Sequence, residues 1–160
     1  KEWLPKAVAD GTNLQARAHM MSAATMGATA FQKGLGAIHS LSHPVGSYYD
    51  THHGLTNAVF TPYVLQYNRP AIEEPLMRLS RCLELPGKGY QAVLDWLLNL
   101  REQLKIPHTA NELGVEESFL PELAEMAAKD PTACTNPLPV DKAQMLEMYK
   151  AAMIGQLHGS

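Results

Sequence analysis

Two cysteines, Cys82 and Cys134, are all that 160 residues contain, and they form neither a CxxC pair nor a short framework. That excludes a disulfide-stapled secreted scaffold and a cysteine-ligated zinc module. It fits a reducing, cytoplasmic setting in which both thiols are expected to be buried or inert. Charge is also scarce, at 18% of residues with a net charge of -3. Nothing in that balance provides an electrostatic footprint for nucleic acid or an anionic membrane. No apolar run approaches the ~20 residues of a membrane span, and no secretory signal pattern is visible. Sustained period-2 alternation, internal repeats and low-complexity tracts are missing too, so no sheet of consequence is expected.

What remains is helical patterning almost throughout, in a chain long enough to bury one respectable core. Thr12 with Gln15 reads as a capping box opening a helix with Leu14, Met21 and Ala28 on one face, ended by Lys33-Gly34. A short helix follows from Ile38 to Val45, where Pro44 removes a backbone donor and is expected to kink or end it. Asp50 or Thr51 is placed to cap the next helix, which puts His53 in its first turn. Asn68-Arg69-Pro70 reads as a break before a further amphipathic helix from Ala71 to Leu83. Tyr90, Val93, Leu94, Leu97 and Leu98 make the clearest apolar stripe. Phe119, Leu123 and Met126 mark another helix. Residues 131–139 are a proline-rich connection, and Asp141 with Gln144 caps a last helix carrying Met145, Met148, Tyr149 and Ala152. The methionine stripes read as core filler.

The chemistry concentrates in one stretch. His39, His43, His52 and His53 are four of the seven histidines and fall within fifteen positions, among glycines and small residues. Imidazole is the commonest metal ligand and titrates near neutrality. His39 and His43 share a helix face at i, i+4, and His53 follows a Gly-containing bend that a second element could fold back. The cluster reads as one side of a metal and proton-transfer site. His19 and His108 match no such pattern and read as surface residues. Tyr48 and Tyr49 are expected to pack.

The words GLGAIHSLSHPVG, from Gly34, and YDTHHG, from Tyr49, closely resemble the signature of the iron-containing, group III alcohol dehydrogenases. There a G-x-x-H-x-x-x-H-P-x-G block is followed by a T-P-H-G block. Weaker words occur in the family's order: Leu4-Pro5-Lys6-Ala7-Val8, Ile106-Pro107, Leu113-Gly114-Val115, Asp130-Pro131 and Asn136-Pro137-x-Pro139-Val140. The resemblance implies an all-α multi-helix bundle over residues 1–160, like the family's dehydroquinate-synthase-like C-terminal domain. It implies His39 and His53 as metal ligands and His43 near the substrate and nicotinamide. It implies Fe2+, with Zn2+ or another divalent metal as the alternative, and NAD or NADP as the hydride carrier. Partners implied are a small alcohol or aldehyde substrate, an N-terminal nucleotide-binding domain and further copies of the chain in a homo-oligomer.

Two departures matter. His52 stands where the family usually has Pro; Gly54 after His53 keeps the ligand assignment on His53. The family's other ligands come from an upstream D-x-x-x-H, which no segment before His39 supplies, and the Gly-rich nucleotide-binding half is absent. The chain begins at Lys1, inside what resembles a helix end, so a fragment of a longer enzyme is expected, inactive alone. Competing readings are a stand-alone helical binding module that kept the histidine words without catalysis, and a glycerol-dehydrogenase-like polyol enzyme. Reading the gene upstream of the Lys1 codon separates them. A frame running back through D-x-x-x-H into a Gly-rich α/β half is expected; one that opens just before Lys1 would overturn the enzyme-fragment reading.

Overall fold

A computed structural model describes residues 1–157, which form seven α-helices and no strand. The all-α expectation therefore holds. The chain divides into two compact units, residues 1–34 and Leu35 onward.

The first unit pairs α1 (Trp3–Ala9) with α2 (Leu14–Ala30). Trp3 stacks on the exposed His19 at 4.1 Å between centroids, and Lys6 Nζ lies 4.2 Å from the same indole. The expected Thr12–Gln15 capping box does not form. Asn13 is the N-cap, accepting from Ala16 N, while Thr12 turns back to Asp10. Either residue type can cap, and the Asp10–Thr12 turn decides which does. Leu14 and Met21 are 79% and 71% exposed, so their face is no core of this unit.

The second unit holds α3 (Gly36–Tyr49), α4 (His53–Cys82), α5 (Gly89–Gln103), α6 (Leu120–Lys129) and α7 (Lys142–Ile154). Leu41 and Val45 of α3, Phe60 and Val64 of α4, Leu123 of α6 and Met145 and Tyr149 of α7 close one apolar core. Phe60 and Tyr149 meet edge to face, and the Tyr149 hydroxyl donates to Leu41 O at 2.6 Å. The second half of α4 packs Leu76 against Tyr90, Val93 and Leu94 of α5, so the α5 stripe is a core face as expected. Asp141 and Gln144 form the full reciprocal capping box ahead of α7.

Several boundaries differ from the sequence reading. Helix α3 runs on through Pro44 to Tyr49, because Pro44 and Val45 are buried and packing outweighs one lost backbone bond. The break at Asn68-Arg69-Pro70 is absent: α4 is one helix of 30 residues with Pro62, Pro70 and Pro75 inside it. Asn68 is instead a buried anchor whose amide pairs reciprocally with Asn136 at 2.8 and 2.9 Å. Asp50 caps nothing ahead of it; it closes α3 in the left-handed conformation, φ 49°. His52 is the N-cap of α4, with Nδ1 accepting from Leu55 N at 3.3 Å. On α6 the buried residues are Leu120, Leu123, Ala124 and Ala127, while Phe119, just ahead of it, and Met126 are 38% and 36% exposed. Both cysteines are exposed free thiols, not buried ones: Cys82 ends α4 and Cys134 sits in the 3-10 turn Pro131–Thr135. Each falls at an element end, where no core reaches it.

Arg101, 2% exposed, lies on α5 and donates to Pro107 O and Val59 O. Burial pulls its pKa down. No helix of the described residues is long and apolar enough to cross a membrane.

Asn68→Ala should expose the cost of leaving Asn136 two partners short in a buried place. We expect a loss of about 1–3 kcal/mol in stability, read by urea unfolding. An unchanged midpoint would show that the amide pair carries no load.

Candidate functional site

Helix α3 begins where a distant segment tells it to. Thr135 Oγ1 accepts from Leu35 N and Gly36 N at 3.1 and 3.0 Å, and Asn136 Oδ1 accepts from Ala37 N at 3.1 Å. The orphan donors of a helix start are thus satisfied from a hundred residues away. Gly36 has φ +66°, and a Cβ there would come within 3.2 Å of Asn136 Oδ1, so glycine is required.

From that fixed start the helix delivers His39 and His43 to one face. The left-handed Asp50 turns the chain, and the His52 cap starts α4 with His53 leading. The three rings converge: His39 and His53 centroids are 5.1 Å apart, His43 and His53 5.5 Å, His39 and His43 5.8 Å. The structure therefore brings together all three histidines singled out by sequence. His52 stays out of the cluster as a helix cap. Tyr48 is 46% exposed and donates to Glu122; Tyr49 packs partly against the core, its hydroxyl accepting from Glu116 N.

Two further residues complete the arrangement, and neither was singled out as a site residue from sequence. Asn57 lies one turn after His53 on α4. Its Nδ2 contacts His39 Nε2 at 3.3 Å and His53 Nε2 at 3.0 Å. An amide nitrogen only donates, so both Nε2 atoms accept and both rings are neutral. Asn57 Oδ1 is buried without a hydrogen-bond partner. The i+4 spacing from His53 was the available signal. Asp130, between α6 and the 3-10 turn, reaches His43: Nδ1 and Oδ2 are 2.7 Å apart. Its other oxygen accepts from Thr132 N and Thr132 Oγ1 at 2.8 and 2.6 Å. Nothing local to His43 signalled this contact, 87 residues away.

Electrostatics follow from this packing. Burial, then the neighbouring His53 and His43, hold the His39 ring below its ordinary pKa, against a backbone hydrogen bond with Leu35. Burial pushes the Asp130 carboxyl up, but hydrogen bonds from Thr132 and His43 outweigh it and keep the group below the usual carboxylate value. Two neutral imidazole lone pairs meet at one positively polarised NH2 group. That is the donor set and convergence a borderline divalent cation takes, so these residues fit a metal as two of its ligands. Among the described residues no group of three or more His, Cys, Asp or Glu is placed to hold a metal. Chemically, the site offers two nitrogen ligands and one imidazole with a fixed partner.

Fold and site together define an all-helical domain that presents three imidazoles beside one half-buried carboxylate. Residues 1–153 match the C-terminal model of the Fe-containing alcohol dehydrogenase family. The 1,3-propanediol dehydrogenase of Citrobacter freundii is 33% identical over 156 residues, covering 93% of this chain and 40% of that protein. The 4-hydroxybutyrate dehydrogenase of Cupriavidus necator is 36% identical over 161 residues, covering 94% and 41%. A crystal structure of 1,3-propanediol oxidoreductase is similar with TM-score 0.89 and 32% identity, over 94% of this chain and 41% of that one. The chain belongs to the Fe-containing alcohol dehydrogenase family, as its C-terminal part, and spans about two fifths of the relatives it matches.

The depressed His39 pKa carries a stability signature. As pH falls, the unfolded chain takes up this proton before the folded chain does. Stability is expected to decline from about pH 6.5 downward, and His39→Gln should flatten that decline in urea titrations. An equally steep profile in the variant would place the titration elsewhere.

Proposed function

We propose that this chain forms the metal-binding, substrate-facing part of an NAD(P)-dependent alcohol dehydrogenase that interconverts alcohols with aldehydes or ketones. The observation that supports this most is the convergence of His39 Nε2 and His53 Nε2 on a single point. His39 and His53 are the metal ligands in this reading, and His43 is the proton relay at the substrate. When bound, a divalent metal supplies Lewis-acid polarisation of the substrate oxygen. Fe2+ is the metal we favour from the family, with Zn2+ as the alternative, because nitrogen donors alone do not choose between them. The family's nucleotide-binding half brings the nicotinamide, which carries the hydride.

The chain's own residues do the rest. Asn57 holds the two ligand rings convergent in the metal-free chain, and its NH2 group gives up the two Nε2 lone pairs that a metal would take. His43 exchanges a proton with the substrate hydroxyl or carbonyl through the ring nitrogen not held by Asp130. A cytoplasmic homo-oligomer with an N-terminal nucleotide-binding domain is the assembly we infer. The polyol-dehydrogenase alternative differs in substrate and metal, not in which residues act.

Three single substitutions in the full-length protein test the assignment. His39→Ala and His53→Ala should each lose metal, measured by elemental analysis after dialysis. His43→Ala should retain metal while kcat falls about 10²–10⁴-fold, the usual worth of a positioned acid-base group. Full metal content in His39→Ala would sink the ligand assignment. The 160-residue chain alone should bind Fe2+ or Zn2+ weakly and show no dehydrogenase activity, since a catalytic site needs three or more protein ligands. Tight stoichiometric metal in this chain would contradict that.

A further inference from the structure

The geometry points to Asp130 as a positioning residue that fixes the tautomer of His43, holding its proton on Nδ1 so that Nε2 faces the reaction as a proton acceptor. This deepens the functional reading above and rests on its assignment of His43.

The argument is a count of donors and acceptors. A carboxylate accepts only. Asp130 Oδ1 is occupied by two donors, the Thr132 backbone N–H and the Thr132 hydroxyl. Oδ2 faces His43 Nδ1 at 2.7 Å, so that nitrogen must carry the hydrogen. The Asp130 side chain is only 14% exposed, against 40% for His43, so the carboxylate side of the contact is the sheltered one. Behind it the pair is braced. Thr132 Oγ1, which gives its one hydrogen to Asp130, accepts from Ser40 Oγ at 2.9 Å, on the same helix as His43. The carboxylate is thus held against α3 by the helix it serves. Fixing one ring nitrogen by hydrogen bonding sets the role of the other.

Asp130 also has a plainly structural task, since it caps the 3-10 turn Pro131–Thr135 through Thr132 N. Asparagine separates the two tasks. Asn caps as well as Asp, so Asp130→Asn keeps the turn. Its carbonyl oxygen must face the two Thr132 donors, which leaves the NH2 group against His43. Nδ1 then has to accept, and the proton moves to Nε2. The ring stays in place with its proton on the wrong nitrogen for accepting one from an alcohol.

The test is two-bond 15N–1H correlation NMR of 15N-histidine-labelled, metal-free chain at a pH where His43 is neutral. Wild type should show His43 protonated on Nδ1, Asp130→Asn should show it on Nε2, and Asp130→Glu should restore Nδ1. Wild-type His43 protonated on Nε2 would overturn the proposal without any substitution, and so would a tautomer that Asp130→Asn does not move. In the full-length enzyme Asp130→Asn should lower kcat for alcohol oxidation about a hundred-fold with KM and metal content little changed. Unchanged kcat would defeat the positioning role even if His39→Ala loses metal and the metal reading stands. Metal retained in His39→Ala would defeat that reading instead, and the tautomer would still decide the case for Asp130.

Discussion

The Asn136 side chain spends all of its hydrogen-bonding capacity on two helices and its own loop. Its oxygen accepts from Ala37 N and Asn68 Nδ2; its nitrogen donates to Asn68 Oδ1 and Leu138 O. One amide thereby fixes where α3 starts, where the middle of α4 lies and how the closing segment crosses both. Three helical turns separate its grip on α3 from the end of that helix, and the histidines project between. A shift of the α3 start would rotate His39 and His43 together, while His53, on α4, would stay. Convergence of the three rings therefore depends on a residue that touches none of them.

The same closing segment also carries Asp130 and Thr135. It sets the α3 register at one end and supplies the His43 partner at the other. Placement of α3 and the partner of His43 thus come from one stretch of nine residues, 130–138, whose regular structure is the 3-10 turn Pro131–Thr135. Hydrogen bonding makes this workable, not burial: residues 130–138 are half-buried or exposed, but Asp130, Thr135 and Asn136 are each held by more than one partner, so the segment has few alternative arrangements. Its proline content removes others.

Legibility in the sequence followed the range of the interaction. The α5 stripe and the Asp141–Gln144 box are local patterns, and both formed as read. His39 and His43 on one face needed only helical spacing. Asn68-Arg69-Pro70 misled because Asn and Pro are breakers by local propensity, whereas the Asn68 amide is satisfied by Asn136 across the fold. Pro44 misled for the same reason, its cost being offset by burial. The cap of α4 falls to His52 and not to Asp50 or Thr51, beside a left-handed Asp50 that sequence does not display. Asn57 was one helical turn from His53, already singled out, and could have been found. Asp130 could not, because its role depends on a contact 87 residues long.

Charge balance around the cluster bears on the proposed metal site. Three imidazoles lie within 5.8 Å of one another, and Asp130, the carboxylate that contacts them, is committed to His43. His39 and His53 turn their Nε2 lone pairs to the Asn57 amide instead. The neutral Asn57 NH2 group suits that place because it brings polarity without net charge. A divalent cation brings two positive charges, and two neutral nitrogens do not offset them in a half-buried site. Under the metal reading proposed above, His39 and His53 supply two ligands, and further ligands would have to come from outside this histidine face.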